Sequence, residues 1–282
     1  VTIQTDGKIV VAGSSAAFVV VRYNTDGSLD SNFDFDGIVT SAIGNSSEGL
    51  SIALQLNGKI VVAGYRSLNA VVDAAVVRYN TDGSLDLTFD SDGIVTTDIS
   101  GFIDRVYSVG VQPDGKIVVA GISLDSLNSN FLVMRYDTNG TLDPTFDTDG
   151  IVTIDVASYN ESARSLAIQS DGKIVVTGLS TIGTTSFVVL LRYQTNGSLD
   201  NTFDADGIVT TTIGGSCKGQ SIALQSDGKI VVAGYALIAG NLDFAVARVG
   251  SPDLIPVLFE YQININLKTT VFAAIEEESH IK

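Results

Sequence analysis

The chain has 282 residues, 45% of them hydrophobic, with a formal charge of −16 at pH 7 and an isoelectric point near 4.2. That apolar content can bury a core in one or two domains, while the charge argues against nucleic acid or an anionic membrane as partner, since both are polyanions. A single cysteine, Cys217, excludes an internal disulfide, CxxC redox chemistry and a thiolate metal cluster, and no apolar run reaches the roughly 18 residues of a membrane span.

The chain opens at Val1 inside a repeat, which reads as a fragment or a processed form. One phrase recurs five times: DGKIVVAG at Asp6, NGKIVVAG at Asn57, DGKIVVAG at Asp114, DGKIVVTG at Asp171 and DGKIVVAG at Asp227. The arginines Arg22, Arg78, Arg135, Arg192 and Arg248 follow at spacings of 56, 57, 57 and 56. A third marker, FDxDGIVT, begins at Phe33, Phe89, Phe146 and Phe203, with no copy after Arg248. A period this regular is the mark of a repeat fold.

Each period reads as four short strands, A to D, rich in Val, Ile and Thr and bounded by Gly, Asp and Asn. In the second unit A is predicted at Ser51 to Gln55, a two-residue turn at Asn57-Gly58, B at Lys59 to Ala63, C at about Ala74 to Tyr79 and D at Ile94 to Asp98. Nothing has helical period. Small residues at Ala53, Gly110, Ala167 and Ala223 place A nearest a crowded axis. The predicted fold is all-β: a β-propeller of five four-stranded blades, or part of a larger one, over residues 1–249.

These units resemble the delta-60 repeat propellers of bacterial proteins, which read much like VQPDGKIVVAG, FxxxRYNxDGSLDxTF and DGIVTT. The resemblance runs from Val1 to about Arg248, with unit one shortened between B and C. It implies the propeller architecture and an extracellular or cell-surface setting, and it carries no catalytic motif.

Past Arg248 the pattern departs, with RVGSPDL where RYNTDGSLD would stand. In this extension, 250–282, strict alternation from Phe259 to Lys268 predicts a strand within 257–268 that replaces the missing D strand and covers the edge of blade five, ahead of an acidic tail.

The chemistry is bounded by missing parts. The only histidine, His280, lies in that tail, which removes a Ser-His-Asp triad and a His-based zinc site from the propeller, and there is no phosphate-binding glycine loop. Glycines are read as turn residues. The Asp-rich C to D loops do not fit the spacing of an EF-hand, so Asx-turns are expected in place of metal, and no cofactor is expected. Each repeat arginine is expected to pair with an acid of its own loop, Asp30, Asp86, Asp143 or Asp200.

Connectivity divides the loops between two faces. The A to B and C to D loops are nearly identical between units, whereas the B to C and D to A loops diverge, which points to a binding face on the divergent side. Its candidate residues are Glu48, Asp104, Arg105, Tyr107, Glu161, Arg164 and Lys218, with Ser47, Ser162, Cys217 and Gln220 beside them. The reading is a non-catalytic, monomeric binding module for an unknown protein or glycan, with no nucleic acid and no membrane insertion. The alternatives are a structural spacer of a surface protein and a carboxylate-dependent glycoside hydrolase, which would need two acids across a pocket.

Overall fold

The computed structural model describes residues 1–99, 101–125, 128–157, 160–250 and 259–263. Blade 1 is built from β1 (Thr2–Ile3), β2 (Ile9–Ser14), β3 (Phe18–Tyr23) and β4 (Ile38–Ser41). Blade 2 follows with β5 (Ser46–Leu54), β6 (Ile60–Leu68), β7 (Val71–Tyr79) and β8 (Ile94–Thr97). Blade 3 is β9 (Ile103–Val111), β10 (Ile117–Leu124), β11 (Ser129–Tyr136) and β12 (Ile151–Ile154). Blade 4 is β13 (Asn160–Ile168), β14 (Ile174–Ile182), β15 (Thr185–Tyr193) and β16 (Ile208–Thr211). Blade 5 is β17 (Cys217–Leu224), β18 (Ile230–Ile238), β19 (Asn241–Val249) and β20 (Phe259–Ile263). Each blade is an antiparallel meander in chain order, and one parallel bridge, Val72 to Ile103, links blades 2 and 3.

The strands are longer than their apolar cores suggest, because polar residues continue the ladder. β6 and β7 pair from Ile60–Tyr79 to Leu68–Val71, so the divergent stretch YRSLNAVVD is mostly strand and its loop shrinks to Asn69 and Ala70, both left-handed at φ 53° and 70°. The A to B turn of blade 2 is not the predicted two-residue hairpin. Gln55 N–H bonds Lys59 O and Gly58 N–H bonds Gln55 O, closing a three-residue loop with Gly58 left-handed at φ 81°.

Apolar layers fill the spaces between successive blades. Val10, Phe18, Val20 and Phe33 of blade 1 pack on Ile60, Val62, Val77 and Tyr79 of blade 2, and equivalent layers join blades 2 to 3, 3 to 4 and 4 to 5. The A strands pack on one another and are sewn by serines: Ser51 Oγ accepts from Val109 N–H at 3.1 Å, Ser108 Oγ from Leu166 N–H at 3.0 Å and Ser165 Oγ from Ile222 N–H at 3.3 Å. This puts the A strands at the axis. Among the described residues no apolar layer joins blade 5 to blade 1: Phe244 is 59% exposed where its counterparts Ala74, Phe131 and Val188 are at 0%, 0% and 3%.

The C to D loop is a clamp in blades 1 to 4. The guanidinium Nε lies 2.7 Å from Asp30 in blade 1, 2.5 Å from Asp86 in blade 2, 2.6 Å from Asp143 in blade 3 and 2.7 Å from Asp200 in blade 4. The lysine of the DGK or NGK turn, Lys8, Lys59, Lys116 or Lys173, reaches the same carboxylate. A phenylalanine, Phe33, Phe89, Phe146 or Phe203, lies under each guanidinium. Three clamps also reach forward: Nη1 of Arg22, Arg78 and Arg135 donates to the carbonyl of Thr81, Thr138 and Thr195 in the following blade. Arg248 has a partner of its own, and the residue eight positions on, where an aspartate stands in the other units, is Pro256.

Candidate ligand-binding site on the inner strands

The two ends of each blade carry different things. Lys8 to Asp30 and its equivalents tie the A to B turn to the C to D loop at one end. At the other end Asn69 N–H bonds the side chain of Asn45 and Asn45 N–H bonds Ser67 O, so the B to C turn and the D to A loop meet there. The candidate residues all lie at this second end. They sit in the first halves of β5, β9, β13 and β17, however, and not on loop tips.

A β-bulge shapes that segment in four blades. Pairing slips between Gly49 and Ser51, Val106 and Ser108, Ala163 and Ser165, and Gly219 and Ser221, leaving Leu50, Tyr107, Arg164 and Gln220 as the extra residues. The bulge presses the inner strand onto the last residue of the IVVAG phrase. A Cβ built on Gly64, Gly121, Gly178 or Gly234 would stand 1.8 to 1.9 Å from the carbonyl oxygen of Glu48, Arg105, Ser162 or Lys218. These four glycines therefore serve a close approach of strands and are not turn residues, which corrects the reading from sequence.

Two of the candidates are internal. Asp104 and Glu161 are 0% and 1% exposed. Asp104 Oδ2 accepts from Ile99 N–H at 2.7 Å, and Glu161 Oε1 accepts from Val156 and Ala157 N–H at 2.8 and 2.9 Å. In blade 5 Cys217 Sγ takes the same role toward Ile213 N–H at 3.3 Å. In blades 3 to 5 one acceptor thus ties down the D to A loop, while the equivalent Ser47 hydroxyl of blade 2 is buried with no partner; this removes Asp104 and Glu161 from a solvent-facing site. Burial pushes the Glu161 carboxyl up, an effect its two N–H donors oppose.

The remaining candidates form a half-exposed ladder along the axis. The Arg105 guanidinium lies over the Tyr65 ring at 4.5 Å, that of Arg164 over Tyr107 at 4.7 Å, and the Lys218 ammonium over Tyr235 at 5.9 Å. The first two contacts cross from one blade to the next. Glu48 pairs opposite Tyr65 in the β5–β6 ladder. Burial and the Glu48 carboxylate push the Tyr65 hydroxyl up, against the pull of Arg105. Tyr65 and Tyr235 were missed in the sequence because they follow the IVVAG phrase in what reads as a loop; their signal is that the equivalent places in blades 3 and 4 are Ile122 and Leu179.

A concavity of about 400 Å³ lies elsewhere, at the clamp end between blades 2 and 3, lined by Lys59, Arg78, Thr88, Gln112 and Thr138. Its cations are already paired with Asp86, so it is a joint between blades and offers a ligand little. The loop acids are engaged in the same way: Asp36, Asp92, Asp149 and Asp206 each accept the N–H two residues on, as Asx-turns do.

No curated protein matches the chain. Among solved structures it is similar to a gluconolactonase from Xanthomonas campestris, with 12% identity and a TM-score of 0.42 over 88% of this chain and 82% of that one. A polysaccharide lyase gives 10% identity and a TM-score of 0.48 over 92% and 71%. An alpha-L-arabinanase from Cellvibrio cellulosa gives 13% and 0.42 over 93% of both chains. A repeat pattern described as a beta-propeller domain of unknown function, DUF5122, matches five times, at residues 4–33, 55–89, 112–146, 169–203 and 225–253, each match spanning one IVV strand and the arginine that follows it. With its blades, its period and these five matches in agreement, the chain belongs to the DUF5122 beta-propeller family.

Proposed function

We propose that the protein is a non-catalytic binding module of the delta-60 type whose ligand site is the axis-side ladder at the end of the blades opposite the clamps. The observation that carries this reading is the contrast between the two ends. The clamp is the same in four blades, while the bulge places present Leu50, Tyr107, Arg164 and Gln220, and the carbonyl places present Glu48, Arg105, Ser162 and Lys218. One backbone device thus displays a different side chain from each blade, as a surface with one particular ligand requires. The absence of catalysis is supported by the acids themselves: Asp104 and Glu161 are used internally, which leaves Glu48 without either as a partner across a pocket.

The test is an array of neutral and acidic oligosaccharides probed with the native chain and with a Tyr107→Ala/Arg164→Ala double variant. Binding by the native chain, reduced at least tenfold in the variant while its melting temperature stays within a few degrees, is the expected result. An array that stays empty for the native chain would favour a structural spacer, and turnover of any oligosaccharide would overturn the non-catalytic assignment.

A further inference from the structure

Among the described residues, most cations already have a partner. The four clamp lysines and four clamp arginines are shared among Asp30, Asp86, Asp143 and Asp200, Arg66 pairs with Asp73, Lys229 pairs with Asp227, and Arg248 is engaged as well. Among the described residues this leaves Arg105, Arg164 and Lys218 without an ion pair. The chain holds 32 acids to 16 bases, so carboxylates are plentiful, yet these three cations have none. They sit on three consecutive inner strands, β9, β13 and β17, at the same end of the blades.

Each is held over a tyrosine instead. An aromatic face attracts and orients a cation but accepts no proper hydrogen bond from its N–H groups, so the charge is positioned without being neutralised. The Nε atoms of Arg105 and Arg164 are accordingly buried with no hydrogen-bond partner. Those buried atoms are out of a ligand's reach, and an anion would be met by the terminal N–H groups of these half-exposed side chains. Planar N–H pairs match the two oxygens of a carboxylate, and two of the three groups are arginines.

We infer that the ladder is an anion site, and that it takes a ligand bearing two or more carboxylate groups spaced to meet neighbouring blades. This assignment rests on the binding-module reading above and adds the class of ligand. Glu48, the blade 2 counterpart of Arg105 and Lys218, sets the limit of the site on that side, so the ligand lies across blades 3 to 5. The overall negative charge suppresses non-specific uptake of polyanions, and the local cation triplet selects those that reach the axis.

Two probes test the shared chemistry by titration calorimetry on the full chain at low salt: citrate, and a trimer of galacturonate with its methyl ester as the uncharged control. The acidic probes are expected to bind and the ester not. Affinity should fall at least tenfold in Arg105→Gln/Arg164→Gln/Lys218→Gln, and should be unchanged in Lys229→Gln, which removes a cation from the clamp end. Citrate binding alone would identify a small multi-carboxylate as the source, and trimer binding alone a saccharide chain; either supports the assignment. Acidic probes that bind no better than the ester, or that bind the triple variant as well as the native chain, would overturn it. If the triple variant does not fold, Lys218→Gln alone must still weaken binding threefold or more. An ester that binds, and keeps binding after all three substitutions, would leave the module reading in place while removing the anion.

Discussion

At the scale of single residues, the tyrosine after each clamp arginine shows how closely one blade is fitted to the previous one. Tyr79 Oη donates to Ser41 Oγ at 2.9 Å, and Tyr136 Oη meets Thr97 Oγ1 at 2.7 Å, each reaching the D strand of the preceding blade. Burial pushes the Tyr79 hydroxyl up to about 12 despite the bond to Ser41. In blade 4 the partner is missing, because the place of Ser41 and Thr97 is taken by Ile154, and the buried Tyr193 hydroxyl has no partner. Removing a hydroxyl that is already unsatisfied relieves a desolvation cost, whereas removing a bonded one sacrifices about 1 kcal/mol. Tyr193→Phe should therefore leave stability unchanged or raise it by up to about 1 kcal/mol, and Tyr136→Phe should lower it by about that amount. Urea unfolding of the two variants decides, and a larger loss in Tyr193→Phe than in Tyr136→Phe would contradict this account.

At the scale of the strand, the bulge is the element that makes the site, and it depends on glycine. Gly121→Ala would drive a methyl group onto the Arg105 carbonyl and to 2.7 Å from Val106 Cα, both backbone, with no flexible side chain to yield. The expected cost is about 1–3 kcal/mol, the usual range for overpacking, together with loss of the Arg105–Tyr65 stack. A lower urea midpoint alongside an altered tyrosine fluorescence signal would report both, and a variant as stable as the native chain would show that the bulge can be relieved. The period, the four strands and the axial position of A were legible because Val, Ile and Gly recur at fixed places. The bulge was not, because the one-place shift it puts into the alternation falls in a partly polar stretch such as IDRVYSVGV, and the paired glycine looks like any other repeat glycine. The burial of Asp104 and Glu161 was hidden for a similar reason: a carboxylate in a polar stretch reads as solvated. The clue was Cys217 at the equivalent position, a residue that favours burial.

At the scale of the molecule, four copies of one charged joint make the stability depend on pH in a defined window. Burial alone would raise Asp30 and Asp200, but hydrogen bonds from the loop and from Lys8 or Lys173, with the charge of Arg22 or Arg192, outweigh it and bring both down to about 2. Asp86 and Asp143 are held well below the ordinary carboxylate range in the same way. A carboxyl whose pKa is lowered by folding contributes its full stability above the unfolded value of about 3.9, and loses it as the pH falls toward the folded value. The melting temperature should hold steady from pH 7 to about 4.5 and then drop between about 4 and 2, more shallowly in Asp86→Asn, which lacks one ionisable joint. Thermal scans across that range check it, and an acid limb as steep in the variant as in the native chain would assign the loss to other groups.

The forward reach of the clamps bears on how the chain is made. Arg22, Arg78 and Arg135 are donors fixed in one blade whose acceptors, Thr81, Thr138 and Thr195, lie some 60 residues later, and the serines of the inner strands wait in the same order for N–H groups of the following blade. During translation, every docking contact therefore already has its first half in place when the second emerges from the ribosome. At about 5–20 residues per second a unit of this length takes on the order of several seconds to appear, longer than the milliseconds to seconds in which small β-domains fold. Each new unit can be captured by its predecessor before the next arrives, so synthesis itself sets the order of assembly and discourages near-identical units from pairing out of turn.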